Sequence, residues 1–353
     1  MNTTGETTTL TPMVLRDLTT LRVGGPATHC VTVTDADELV EAVTNADQAG
    51  EPVLLVAGGS NLLVGDSGFE GMVVVVRGRG IGVVSEDACS GVTVRVQAGH
   101  PWDDLVARAV GEGWVGIEAL SGIPGSVGAT PIQNVGAYGQ EVAQTIAQVR
   151  TWDRHEHRQR TFAASECGFG YRHSRFKADP GRYLVLDVTF QFVHGTLSAP
   201  IGYTELARSL DTPLRSKAPM TDVRDHVLAL RRAKGMVLDA ADHDTWSAGS
   251  FFTNPILAAD TALPEGAPRF PVSGRDDQVK TSAAWLIEHA GFGKGFAVGP
   301  RASLSTKHTL ALTNRGEATA QDLLELARAV RDGVRDRFGI TLVNEPVLVG
   351  EQL

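Results

Sequence analysis

The 353-residue chain predicts an α+β protein of two or three domains, and three observations carry that expectation. The length exceeds what one ordinary hydrophobic core holds. β-patterned segments and helical segments alternate too irregularly for a doubly wound sheet, and the texture turns helical after Thr221. No glycine run fits a Rossmann or Walker site. Gly78, Gly80 and Gly82 do not make GxGxxG and open no helix, and Gly291-Phe-Gly-Lys-Gly295 lacks the spacing and the hydroxyl residue of a P-loop.

Taken in order, Met1 to Thr11 reads as a disordered tail. Asp35 to Gly50 predicts a helix, with Asp35 and Glu38 as a capping pattern, Leu39 and Val43 on one face, and Gly50 as the stop. Val53 to Ala57, Met72 to Val76 and Val92 to Val96 read as strands, and Pro101 to Gly113 as a helix with proline in its first turn. The stretch from Ser121 to Gly139 is rich in Gly, Ser, Pro and Ala and has no periodicity, which marks a functional loop. Tyr183 to Val193 predicts a strand with Leu184, Leu186, Val188, Phe190 and Phe192 on one face. Three helices follow. One carries Val223, Val227 and Leu230, with Arg231, Arg232 and Lys234 at its basic end; the others span Thr281 to Ala290 and Ala320 to Phe338. A last strand is expected over Leu342 to Val349, and a domain boundary near 215.

Composition excludes several function classes. The net charge is -9 and no block of Lys or Arg stands out, so a nucleic-acid groove is not expected. Cys30, Cys89 and Cys167 are odd in number and form no CxxC, which suggests neither a disulfide framework nor a metal site. His155-Glu156-His157 is not HExxH and reads as a solvated turn. The Thr-rich start has no apolar stretch after a basic one, and the longest clear apolar run, Met72 to Val76, is far short of a membrane span. A cytoplasmic protein without membrane insertion is the expectation.

Several segments remain that could carry chemistry. Gly58-Gly59-Ser60-Asn61 follows a buried strand, so it is either a plain turn or a cradle whose N–H groups hold a diphosphate. Gly122 to Thr130 and Pro131 to Gly139 offer small residues and hydroxyls but little bulk to fill a core. Arg172 alone could be a surface charge. Ala248 to Pro255 places Ser250 before Phe251 and Phe252, a turn with two core aromatics or something more; no GxSxG elbow accompanies it. Glu345 lies in an otherwise apolar segment, on an exposed face or buried for a purpose.

Read together, these segments resemble the UDP-N-acetylenolpyruvoylglucosamine reductase family. The markers run in order from about residue 18 to 350: Thr20-Leu-Arg-Val-Gly-Gly-Pro26, Gly58 to Leu63, Gly122-Ile-Pro-Gly125, Pro131-Ile-Gln-Asn-Val-Gly-Ala-Tyr-Gly139, Phe169-Gly-Tyr-Arg172, Gly249-Ser-Phe-Phe-Thr-Asn-Pro255, Lys280 to Glu288, and Glu345. The glycine loops are weak singly; the Pro131 to Gly139 and Ala248 to Pro255 strings together are specific. One departure is local: Asn344 precedes Glu345 and Pro346 follows it, where the family more often has Pro before and Val after.

The resemblance implies an FAD-binding fold of the vanillyl-alcohol-oxidase type in two subdomains and a C-terminal α+β substrate domain. The division expected is a tail over 1–16, subdomains over 17–85 and 86–214, and the substrate domain over 215–353. It implies FAD and NADPH as cofactors, with the enolpyruvyl-UDP sugar as substrate. The flavin would lie on Gly58, Gly59, Ser60, Asn61 and Leu62, and on Gly122, Ile123, Gly125, Ser126, Gly128 and Ala129. Arg172 and Glu345 would support the substrate carboxylate, and Ser250 would donate a proton. Glu345 helps only if protonated or bridged to a donor, so a raised pKa is expected. Tyr203 belongs to the insertion of the subgroup whose tyrosine closes over the UDP diphosphate, and Tyr138, Lys234 and Asn254 would join it on the substrate side. A monomer is expected. A rival is an oxidase of the same fold, but many of those hold flavin covalently through His or Cys near the diphosphate loop, and Ala57 to Asn61 contains neither. A catalytically dead nucleotide-binding module would not need Arg172, Ser250 and Glu345 together.

Overall fold

A computed structural model describes residues 13–87, 91–272 and 274–353. The expected tail over Met1 to Thr11 lies outside the described residues, as does Cys89.

The first region is a small parallel sheet in the order Ala27–Val33, Phe69–Val76, Val53–Val56. Its central strand is buried on both faces, as parallel strands require. Val73 and Val75 face Leu15, Val56, Val64 and Val349; Val74 faces Val33, Leu39 and Val43. Leu39 and Val43 belong to the helix Ala36–Gln48, whose N-cap Asp35 accepts from the Asp37 and Glu38 amides. The Glu38 carboxylate reaches back one residue further than a capping box would, to the Thr34 amide at 2.7 Å.

The second region is a six-stranded sheet ordered Arg158–Ala163, Ile146–Asp153, Tyr183–His194, Gly91–Gln97, Ile81–Asp87, with Trp114–Val115 pairing off that path. Trp102, Leu105, Val106 and Ala109 of the helix Trp102–Gly111 fill its core; Pro101 is the N-cap rather than a first-turn residue. The long strand corrects one expectation. Leu184 and Leu186 face the first region, whereas Val188, Phe190 and Phe192 join Val185 in the second core. The pairing slips between Arg150–Asp187 and Thr151–Val185, and the extra residue of that bulge reverses the alternation.

The third region packs the helix Ala320–Phe338 against the helix Ala283–His289 and the hairpin Ala302–Leu304 and Leu312–Asn314. Phe251 and Phe252 are buried in this core. The helix Met220–Ala233 packs elsewhere, with Ala119, Ile201, Leu206 and Ala207, and Arg224 makes a bidentate 2.8 Å pair with Asp103.

The last strand is shorter than expected. Only Val347–Val349 is strand, and it pairs in parallel with Leu62–Val64 of the first region. Pro346 lacks an amide hydrogen, so the segment before it cannot extend the ladder. Its contact is a single bridge between Asn344 and Phe252. No helix among the described residues is long and apolar enough to cross a membrane.

Candidate active site

Two glycine loops form one wall. A Cβ at Gly58 would lie 2.5 Å from the Gly125 Cα, and one at Gly128 would lie 2.5 Å from the Ala98 Cβ. Only glycine lets these backbones meet. Ser60 Oγ donates to the Pro124 carbonyl at 3.1 Å, which ties the loops together. The second loop is laced onto the start of the 102–111 helix: the Trp102 amide donates to Gly125, and Val127 and Gly128 donate to His100 and Ala98. Ser126 bridges Pro101, Ile123 leans on the second core, and Ala129 is exposed. Leu62 is already strand, with its side chain against the first core.

At one end of this wall lies a buried guanidinium, Arg231, which its sequence neighbours mark only as part of the basic end of a helix. Arg231 donates to the Met236 carbonyl at 2.8 Å, while its Nε is shut from solvent and has no partner. Burial lowers its pKa. A Cβ at Gly122 would approach that Nε to 3.6 Å. An unspent buried cation donor beside packed glycine loops suits an anionic group.

Beside Arg231 sits the expected substrate-side group. Tyr138 and Tyr203 meet edge to face at 5.4 Å, and Lys234 Nζ lies 5.8 Å from the Tyr138 ring centre. Gly139 and Gly202 make this possible, since a Cβ at Gly139 would come within 3.0 Å of Gly202. Lys234 is held by Glu205 at 2.5 Å. Burial pushes the Tyr138 hydroxyl up to about 12. Burial and the neighbouring Lys234 and Lys294 push His308 down to about 4, so its imidazole is neutral. His308 had no motif to announce it. Glu118, wholly buried, ties the two tyrosine segments to one point: it accepts from Gln140 Nε2 at 2.8 Å and from the Ala199 amide at 2.7 Å.

The third cluster gathers side chains from distant segments. Arg172 Nε donates to Glu345 Oε1 at 3.0 Å and its NH2 to the Gly136 carbonyl at 2.8 Å. Gln133 also donates to Glu345 Oε1, at 3.3 Å, and accepts from Asn61. Asn61 in turn donates to the Glu345 carbonyl. The Glu345 amide donates to the Phe251 carbonyl at 2.8 Å, which ties the residue after Ser250 to this cluster. Burial raises the Glu345 pKa, with Arg172 and Lys177 opposing it, in the expected direction. Asn254 is one step out: it accepts from the Ala283 amide, capping a helix, and bonds the Tyr171 hydroxyl. Asn134, Tyr138 and Arg172 all hold positive φ, at 47°, 49° and 50°. Such backbone costs on the order of 1–3 kcal/mol per residue and collects at functional sites. Among the described residues no cluster of His, Cys, Asp or Glu could hold a metal ion.

Comparison with known proteins points the same way. Residues 241–349 match the C-terminal domain of UDP-N-acetylenolpyruvoylglucosamine reductase, and residues 27–160 match an FAD binding domain. The chain is 59% identical over 338 residues to the UDP-N-acetylenolpyruvoylglucosamine reductase of Cutibacterium acnes, covering 95% of this chain and 89% of that one. It is 55% identical to the protein of that name from Thermobifida fusca, over 96% of this chain and 97% of the other. A solved structure of UDP-N-acetylenolpyruvylglucosamine reductase from Thermus caldophilus superposes with a TM-score of 0.64 at 28% identity, covering 96% and 98% of the two chains.

Proposed function

The chain belongs to the UDP-N-acetylenolpyruvoylglucosamine reductase family, and we propose that three of its side chains, Arg172, Ser250 and Glu345, carry the reaction of that family. The reaction reduces the enolpyruvyl double bond of UDP-N-acetylenolpyruvoylglucosamine to give UDP-N-acetylmuramate, a step of peptidoglycan precursor synthesis. The enzyme uses FAD and NADPH. Its fold class is α+β, an FAD-binding half of the vanillyl-alcohol-oxidase type followed by a substrate domain. The observation that carries the assignment is the Arg172–Glu345 pair, tied to Asn61 of the glycine wall and, through the Phe251 carbonyl, to the segment that holds Ser250.

The residues present fit the cofactor. The wall of Gly58, Gly59, Ser60, Asn61, Gly122, Gly125, Ser126 and Gly128 would hold FAD, and the unspent Nε of Arg231 would face its negative charge. When bound, FAD supplies a carrier for the hydride of NADPH. The chain's own residues do the rest. Hydride addition at the terminal enolpyruvyl carbon leaves an electron pair on the carbon next to the carboxylate, and Arg172 stabilises the charge that spreads onto that carboxylate. Glu345, with its raised pKa, is a donor to the same group when protonated. Ser250 delivers a proton to the carbon bearing the pair, which completes the saturated lactyl ether. Tyr138, Tyr203, Lys234 and Asn254 hold the UDP portion, and Lys234 exchanges Glu205 for a phosphate oxygen. His308 stays neutral beside them and so adds no charge.

Two subdomains over 17–85 and 86–214 and a substrate domain over 215–353 suit this division of labour, with the 220–233 helix at the seam. A monomer working in the cytoplasm, where NADPH and UDP sugars are available, completes the proposal. The decisive assay follows NADPH oxidation with and without the enolpyruvyl-UDP sugar. Oxidation that depends on the sugar, from a yellow protein that NADPH bleaches, is expected; bleaching with no transfer to the sugar would remove the assignment. Acid precipitation should release all the yellow colour into solution, since no His or Cys lies at the Gly58 loop to hold flavin covalently.

A further inference from the structure

Lys280 ends the strand Arg275–Lys280 and is half-buried, with its Nζ 4.3 Å from the centre of the Tyr171 ring. Three lysine or arginine side chains surround the carboxylate corner, and two of them are engaged. Arg172 bonds Glu345 and Gly136, and Lys177 Nζ donates to the Arg172 carbonyl at 3.1 Å. The Lys280 ammonium makes no hydrogen bond or ion pair among the described residues. A half-buried ammonium has three donors to satisfy and a desolvation cost to recover. A ring face returns part of that, but a ring accepts no strong hydrogen bond. Glu141 and Arg172 are the charges it feels, and burial lowers its pKa.

The donors of the other two cations are already committed. Arg172 bonds Glu345 Oε1 at 3.0 Å and the Gly136 carbonyl, and Lys177 bonds the Arg172 carbonyl. A substrate carboxylate entering there would have to compete for them. We propose that Lys280, whose ammonium is uncommitted, binds the substrate carboxylate and so leaves the Arg172–Glu345 pair intact. Tyr171 is the platform that holds the ammonium ready, and Asn254 fixes that platform through the tyrosine hydroxyl. This assignment rests on the reductase reading of the site.

Binding of two ligands to the FAD-loaded enzyme tests it: the enolpyruvyl-UDP sugar, and UDP-N-acetylglucosamine, which lacks the carboxylate. Lys280→Met keeps the aliphatic packing on Tyr171 and removes the charge. Its affinity for the enolpyruvyl sugar should fall roughly 10- to 100-fold, while affinity for UDP-N-acetylglucosamine stays within a factor of about two. Lys280→Arg should recover much of the loss. An equal fall for both sugars would overturn the proposal in favour of a structural role. So would a defect confined to flavin reduction by NADPH, which would assign the lysine to the phosphates of that ligand. Failure of the wild type to bind or reduce the enolpyruvyl sugar is a separate outcome, and it removes the reductase reading itself.

Discussion

The glycine wall and the carboxylate corner are built by opposite means. The wall is backbone: Gly58 against Gly125 and Gly128 against Ala98 leave no room for a Cβ, and its side chains are absent or short. The corner is side chain: Arg172, Gln133 and Asn61 from separate segments meet at Glu345, whose amide bonds the carbonyl of Phe251, the residue after Ser250. A wall of glycine backbone supplies shape and no titrating group. A corner of side chains gives chemistry that one substitution can remove while the wall still holds its ligand. Binding and turnover should therefore be separable by mutation.

The sharpest separation is expected from Ser250. Ser250→Ala should slow reduction of the enolpyruvyl sugar roughly 10²–10⁴-fold, the usual range for losing a general acid. Stopped-flow bleaching of the flavin by NADPH should keep its wild-type rate, and Ser250→Cys should recover part of the turnover. Normal turnover by Ser250→Ala would make the serine a turn residue.

Gly59 should give the converse result. It holds φ +60°, and a Cβ there would lie 1.8 Å from the Leu18 carbonyl oxygen. Gly59→Ala is expected to cost about 3 kcal/mol of stability and to release flavin. Thermal melting and the ratio of flavin to protein absorbance measure both. Full flavin content in this variant would show that the loop is not part of the wall.

Lys234→Ala stands between the two regions. Losing one charged contact to the UDP diphosphate should raise KM for the sugar by an amount equivalent to about 2 kcal/mol, with less effect on flavin reduction. Equal damage to both half-reactions would move the lysine from the substrate to a shared role.

The smallest effect concerns Glu345 and pH. Burial raises its pKa above the ordinary carboxylate value, so the folded state favours the neutral acid. The unfolded chain releases that proton at lower pH. Stability from this group is therefore fully present below the ordinary value and is lost as pH rises through the raised folded pKa. Denaturant melts of wild type and Glu345→Gln across that window should show the wild type losing ground as pH increases. A parallel pair of pH curves would mean that Arg172 cancels burial, and a wild type that gains on Glu345→Gln as pH rises would mean that Arg172 outweighs it.

How much of this the residues announced divides along the same line. The wall was legible because glycines pressed against backbone leave a compositional trace over Gly58 to Asn61 and Gly122 to Gly128. The corner was legible only through resemblance, since a lone Arg172 or Ser250 has no local signature. The 183–194 strand was found, but its single face was not: alternation counts parity, and a bulge near Leu186 changes parity without changing composition. The strand expected over Leu342 to Val349 shrank to three residues because Pro346 interrupts the ladder. Arg231 passed as an ordinary helix-end cation, since nothing in its neighbours says that the side chain turns inward. Gln133 and Lys280 have no local signature of a role, because their neighbours in space lie more than a hundred residues away, Gln133 212 residues from Glu345.

The pairing of Val347–Val349 with Leu62–Val64 sets a clock on biosynthesis. Asn61 and Glu345 are 284 residues apart and hydrogen-bonded. At ordinary translation speeds the interval between making the two is on the order of tens of seconds. Throughout that interval the 62–64 strand has an open edge where its partner belongs, and such edges invite wrong pairings. The wall's residues come early, yet the acid corner closes only after residues 345–349 have been made. A chain stopped before residue 345 leaves Arg172 without its carboxylate and the 62–64 strand without its partner.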